Sequence, residues 1–131
     1  AGRRQSRHVS PAPRSHHLEL LPGTRRARDL VADVGAGLFA AEALHGRLDP
    51  ASGDFEVGFA HGRRIVAGRL SERVGPFRLR GKVSAVLSRI VAVASDPVLS
   101  GAGWCAKGGQ RLPVWSTTPA VLLAGVEVEA G

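Results

Sequence analysis

Methionine and tyrosine are absent from the 131 residues, cysteine occurs once and lysine only twice. The lone Cys105 excludes an internal disulfide framework and is what a reducing cytoplasm permits. With no methionine the chain lacks even an initiator, which points to a processed product or a piece of something longer. Aromatic residues are scarce, at 5%. No apolar run approaches the length needed to cross a bilayer. Leu18 to Leu21 is too short and too interrupted to be the apolar core of a signal peptide. A membrane is therefore not an expected partner.

What is present bounds the fold. A mass of 13.7 kDa fits one domain. An apolar content of 44% is enough for a core and excludes a wholly disordered chain. The 17 Gly and 8 Pro favour many turns and short elements over a helix bundle. The net charge of +7 is unevenly spread. Residues 1–30 hold seven Arg against Glu19 and Asp29, giving +5, so the basicity belongs to the start of the chain.

Residues 1–17 carry Arg, Ser, Pro and His with a single Val, too little apolar surface to offset the entropy of ordering. Alone, that segment is expected to be mobile or to lie extended on another surface, with the folded domain over residues 18–131. Leu18-Glu19-Leu20 alternates as a short strand does, and Pro22-Gly23 turns the chain. Thr24 is placed to cap a short helix through Leu30, Val31 and Val34. Residues 37–44 fit strand or helix and are read as strand. The run Asp49-Pro50-Ala51-Ser52-Gly53-Asp54 is dense in turn formers, with Asp54 as the turn-capping acid. Phe55, Val57 and Phe59 then alternate, His61-Gly62 turns, and Ile65 to Ala67 returns as the second strand of a hairpin. Gly75-Pro76 leads into the alternating Phe77 to Arg80. Val83, Val86, Leu87, Ile90 and Ala94 share one helical face, with Asp96-Pro97 as the stop. Residues 101–110 read as a Gly-rich loop and 121–128 as a final strand. The sum is an α+β fold: an antiparallel β-sheet with short hairpins and two helices.

Cys105 is the chemically loaded position. A thiol in a Gly-rich loop two residues before Lys107 lies near backbone N–H groups and an ammonium. Both favour the thiolate, the form that attacks or binds metal. The alternative is that Cys105 is a small buried apolar residue. None of His8, His16, His17, His45 and His61 has the spacing of a zinc-binding helix. Glu42, Asp54 and Glu56 have no identifiable partner acid. The basic arm suits phosphate backbones electrostatically but has no aromatic residue for stacking.

In order along the chain, these segments resemble the C-terminal domain of the TldD/PmbA family of metallopeptidases, historically labelled modulators of DNA gyrase. Arg3-Arg4, Arg14 and Pro22-Gly23 match its basic segment and Pro-Gly. Asp29 to Val34 with Gly37-Leu38 match the helix and strand start that follow. Asp49 to Phe55 match Asn-Pro-x-Ser-Gly-Asp-Phe, and the helix Val83 to Ala94 matches one that ends in Asp. Most specific is Cys105-Ala106-Lys107-Gly108-Gly109-Gln110-Arg111-Leu112-Pro113-Val114, against Cys-Gly-Lys-x-Gly-Gln-x-x-Pro-Val. The chain departs from the pattern at Ala106, at Ser15-His16-His17 and at Trp115.

The resemblance implies a cytoplasmic zinc peptidase acting on peptides or unfolded proteins. Its metal is held by a His-Glu-x-x-x-His helix and completed by the Cys of this loop. Cys105 matches that ligand, while the helix matches nothing here. The chain by itself is therefore expected to be inactive, with any activity belonging to a longer protein. Lys107 and Gln110 are implied as loop organisers near the substrate, and Ser52, Gly53 and Asp54 as a structural turn. Two subunits enclose the site in this family, so a homo- or heterodimeric partner is implied. The rival readings are a non-catalytic partner subunit or scaffold, and a nucleic-acid module built on the arm. Nucleic acid is not the expected partner.

Overall fold

In the computed structural model, which describes residues 2–96 and 98–131, apolar–polar alternation goes far more into strands than into helices. The first third of the chain forms β1 (Gly2–Arg3), β2 (Ala12–Pro13), β3 (His17–Glu19), α1 (Ala27–Ala32) and β4 (Ala36–Leu48). The middle forms β5 (Asp54–Val66), β6 (Arg69–Val74), β7 (Phe77–Lys82), α2 (Val83–Leu87) and β8 (Ile90–Val93). The last part forms β9 (Val98–Lys107), β10 (Gln110–Thr118), β11 (Val121–Leu123) and β12 (Val128–Ala130). The α+β architecture is as expected: antiparallel hairpins with two short helices.

The larger sheet runs β12–β7–β5–β4, with β6 also pairing β5. A second sheet runs β3–β10–β9, in which β3 is parallel to β10 and β9 antiparallel to it. The pairs β8–β11 and β1–β2 complete the ladders. Among the described residues, Leu30, Ile65, Phe77 and Ala94 form the buried hydrophobic core, and Phe77 stacks on Phe59 with ring centroids 5.0 Å apart. Two polar side chains, Arg14 and Gln110, are also buried. Among the described residues, no helix is long and apolar enough to cross a membrane.

Several local expectations need correction. His61-Gly62 is not a turn, because β5 runs straight through it. A Cβ at Gly62 would lie 2.5 Å from the Phe39 carbonyl oxygen and 2.9 Å from the Phe77 ring, so this glycine serves close approach rather than reversal. The strands turn instead at Asp49–Gly53, between β4 and β5, and at Ala67-Gly68, between β5 and β6. The long helix after Lys82 stops at Ser88. Ile90-Val91-Ala92-Val93 is a β-branched run that pairs with β11. Pro97, its expected stop, lies outside the described residues. The first helix begins at Ala27, not behind Thr24; its N-cap is Arg26, whose side chain offers no acceptor, and Arg25 before it bridges Ala94. The final strand is two pieces, β11 on β8 and β12 on β7.

The turn at Asp49 is tied by its own side chains. Asp49 accepts from the Ala51 N–H (2.9 Å) and the Ser52 hydroxyl (3.1 Å), and Ser52 Oγ accepts from the Asp54 N–H (3.2 Å). The capping acid is therefore Asp49. Asp54 instead pairs with Lys82 at 2.8 Å, which drives its partner strand against the turn. The backbone and hydroxyl bonds to Asp49 hold its carboxyl below the ordinary carboxylate range, and the Lys82 and Ser52 bonds do the same for Asp54. A carboxyl depressed on folding contributes stability that is present above its unfolded pKa and lost as pH falls through the folded value. Stability should therefore fall on acidification below about pH 4, where ordinary aspartates protonate. In Asp49→Asn, denaturant titrations between pH 5 and 3 should show a shallower fall. An unchanged slope would mean that the turn carboxyl is not linked to folding.

Candidate functional site

Cys105 does not lie in a loop. It sits on β9, two residues before the tight turn that joins β9 to β10. The run Lys107-Gly108-Gly109-Gln110 dictates this: both glycines have positive φ, 56° and 70°, as a two-residue hairpin turn of type I′ requires. Lys107 then faces Gln110 and Cys105 faces Leu112 across the ladder. The thiol is half-buried. β9 is an edge strand of its sheet among the described residues.

The N-terminal segment lies across this hairpin. Arg14, only 8% exposed, sends its guanidinium into it. Arg14 Nη1 donates to the Cys105 carbonyl oxygen at 2.7 Å and lies 3.6 Å from Cys105 Sγ, and Nη2 donates to the Lys107 carbonyl. Gln110, equally buried, uses both ends of its amide: Oε1 accepts from the Gln5 N–H and Nε2 donates to the Ser10 carbonyl, each at 3.0 Å. Gln5 returns the contact, its Oε1 accepting from the Arg111 N–H at 3.0 Å. Lys107 Nζ, exposed, reaches the Pro13 carbonyl at 3.4 Å. Arg3 donates to the carbonyls of Ser15 (3.0 Å) and Pro113 (3.1 Å).

The structure thus brings Cys105, Lys107 and Gln110 together on one hairpin. The turn at Ser52, Gly53 and Asp54 belongs to the larger sheet, whereas the hairpin belongs to the second. Two departures from the family pattern meet each other: the His16 ring lies on Trp115, centroids 5.2 Å apart, and the His16 carbonyl accepts from the Trp115 N–H. His17 Nε2 is 2.9 Å from Thr117 Oγ1. Trp104, beside Cys105 on the strand, is 63% exposed, with the Arg111 guanidinium 5.3 Å from its ring centroid. Sequence reasoning missed Gln5 altogether and placed Arg14 only in the matching basic segment, without its contacts. A buried arginine in a basic, proline-flanked segment reads no differently from a solvated one.

Among the described residues, no three His, Cys, Asp or Glu side chains gather in a way that holds a metal ion. The chemistry on offer is one sulfur donor on a hairpin fixed from two sides by buried hydrogen bonds. Fold and hairpin together describe a β-rich domain with one half-buried sulfur at the root of a tight turn. Residues 1–130 match the family described as the PmbA/TldA metallopeptidase C-terminal domain, and the chain belongs to that family. It is 32% identical over 128 residues to the metalloprotease TldD homolog of Haemophilus influenzae, covering 97% of this chain and 27% of that protein. Over 118 residues it is 31% identical to a metalloprotease of Methanothermobacter thermautotrophicus, covering 90% and 26%. The fold matches TldE from Thermococcus kodakarensis with a TM-score of 0.76 at 18% identity, over 99% of this chain and 27% of that one. It also matches a putative modulator of DNA gyrase from Thermotoga maritima at 0.66 and 21% identity, over 86% and 23%. The chain spans about a quarter of the length of the curated relatives it matches.

Proposed function

We propose that this chain is the ligand-completing C-terminal domain of a cytoplasmic zinc metallopeptidase that cleaves peptides or unfolded proteins. Cys105 donates its thiolate to the metal, and the remaining ligands and the general base come from elsewhere in the longer protein. The observation that carries this reading is the placement of Cys105: a half-buried sulfur beside a tight turn, braced by buried Arg14 and Gln110. One soft donor fits zinc, which takes cysteine thiolate readily and needs further ligands to complete its shell. Bound there, zinc would supply Lewis acidity toward a peptide carbonyl and its water.

Lys107 and Gln110 act on the chain itself in this reading, fastening the N-terminal segment to the hairpin. Because β9 is an edge strand, an extended peptide can add beside Cys105 through backbone hydrogen bonds, a mode that ignores sequence. A second TldD/PmbA-like subunit, identical or not, encloses the site. Arg3 and Arg14 are occupied by backbone carbonyls of this same domain, which speaks against the arm as a phosphate-binding tail.

The test is the zinc content of the full-length protein and of its Cys105→Ala and Cys105→Ser variants, measured by plasma emission after dialysis. Wild type is expected to retain zinc and both variants to lose it together with peptidase activity. Full zinc retention in Cys105→Ala would remove the ligand assignment. A full-length protein without zinc would make the chain a non-catalytic partner subunit.

A further inference from the structure

We infer that Arg14 is the positioning residue of Cys105: its guanidinium fixes the hairpin around the sulfur and hydrogen-bonds the sulfur itself. It thereby sets how tightly and how strongly that sulfur binds metal. The inference rests on the reading of Cys105 as a metal ligand.

Arg14 reaches the hairpin across 91 residues of sequence. Its Nη1 meets the Cys105 carbonyl oxygen at 2.7 Å and the Gln110 carbonyl oxygen at 3.5 Å, while Nη2 meets the Lys107 carbonyl. Those three carbonyls flank the Gly108-Gly109 turn on both strands. One planar fork therefore pins the backbone at Cys105 and on both sides of the turn, a task that needs the rigid guanidinium and not merely a charge. The same Nη1 is 3.6 Å from Cys105 Sγ, within N–H···S range.

The second observation is what the guanidinium lacks. Arg14 is a buried cationic side chain, and among the described residues it forms no ion pair with a carboxylate. Its Nε is buried with no hydrogen-bond partner. A buried cation met only by carbonyl dipoles is costly unless an anion completes its shell. The sulfur of Cys105 is the contacting atom that becomes anionic as a metal thiolate. Arg14 and Cys105 are thus complementary in the metal-bound state. An N–H···S bond withdraws electron density from a metal-bound sulfur, and partners that orient a ligand in this way typically alter metal affinity by roughly 10–100-fold.

The experiment uses the full-length protein loaded with cobalt(II), whose sulfur-to-metal charge-transfer band in the near ultraviolet reports the sulfur directly. Wild type, Arg14→Lys, Arg14→Met and Cys105→Ala are titrated, with melting curves recorded for each. Arg14→Met is expected to bind cobalt about 10–100-fold more weakly. Its band should move to lower energy, because the sulfur lone pairs lose their hydrogen bond. Arg14→Lys should recover part of the affinity. If Arg14→Met matches wild type within about twofold and its band does not move, while Cys105→Ala abolishes the band, Arg14 only packs the N-terminal segment and the inference is wrong. If Cys105→Ala keeps both metal and band, the ligand reading itself fails and takes this inference with it. Should Arg14→Met fail to fold, Arg14→Lys carries the same two readouts: a weakened, shifted band supports the inference and a wild-type band overturns it.

Discussion

Gly23→Ala should lower the melting temperature of the protein by roughly ten to thirty degrees. A Cβ at position 23 would sit 2.0 Å from the Val93 carbonyl oxygen and 3.0 Å from its carbon. The obstacle is backbone, not the movable end of a side chain. That backbone belongs to β8, which β11 holds from its other side. The close approach is used at once: the Gly23 N–H donates to the Ala94 carbonyl at 2.8 Å, and the Ser95 N–H donates to Arg25 at 2.7 Å. Forcing a methyl into this contact must break those bonds or shift a paired strand, at about 3–5 kcal/mol. For a domain of this size each kcal/mol moves the midpoint by roughly 3–6 °C. Gly35→Ala is the control, since nothing lies within 4 Å of its Cβ position, and it should melt close to wild type. A Gly23→Ala protein melting as Gly35→Ala does would mean that this segment does not press on β8 in solution.

The second large effect is local. Gln110→Ala should release the N-terminal segment while leaving the larger sheet folded. The Gln110 amide is buried and holds the segment at two points, Gln5 and Ser10. Truncation strands the Gln5 N–H and the Ser10 carbonyl and opens a void, at about 2–3 kcal/mol against the docked state. Each 1.4 kcal/mol multiplies the open population about tenfold. Trypsin cleavage at Arg3, Arg4 and Arg7 follows that population when opening is fast. Cleavage there should accelerate by about thirty- to hundredfold, with no comparable gain at Arg63 or Arg73 inside the larger sheet. Gln110→Glu keeps the size and the acceptor but loses the donor, and should fall between. Uniform acceleration at every site would instead report global destabilisation and refute a local latch.

Much of the larger sheet was legible because its signals are local. Phe55, Val57 and Phe59 alternate, and the turn formers of 49–54 and Gly75-Pro76 bracket strands as their chemistry dictates. Gly62 was not legible: a glycine that lets Phe39 and Phe77 approach looks in sequence like a glycine that turns the chain. Val83 to Ala94 misled for a related reason. Its apolar spacing satisfies a helix, yet β11, thirty residues further on, offers Ile90 to Val93 a ladder that a β-branched run prefers. At the hairpin, the residues themselves drew notice only to Cys105, and Gln110 entered through the family resemblance of the run Cys105 to Val114. The turn that puts Cys105 on a strand was hidden by reading glycines as loop. Arg14 was visible as part of the matching basic segment but without a contact, because its partners are carbonyls about ninety residues away.

The parallel pairing of β3 with β10 has a consequence for synthesis. Trp115 to Thr117 pair with His17 to Glu19, so the sheet that carries Cys105 closes only when both ends of this sequence are present. Closing so long a loop is entropically unfavourable until the intervening hairpins have shortened it. On a translating ribosome the sheet of β4, β5, β6 and β7 can pair first. The sulfur and its arginine meet among the last contacts made, so the thiol stays unguarded until nearly the whole domain has emerged.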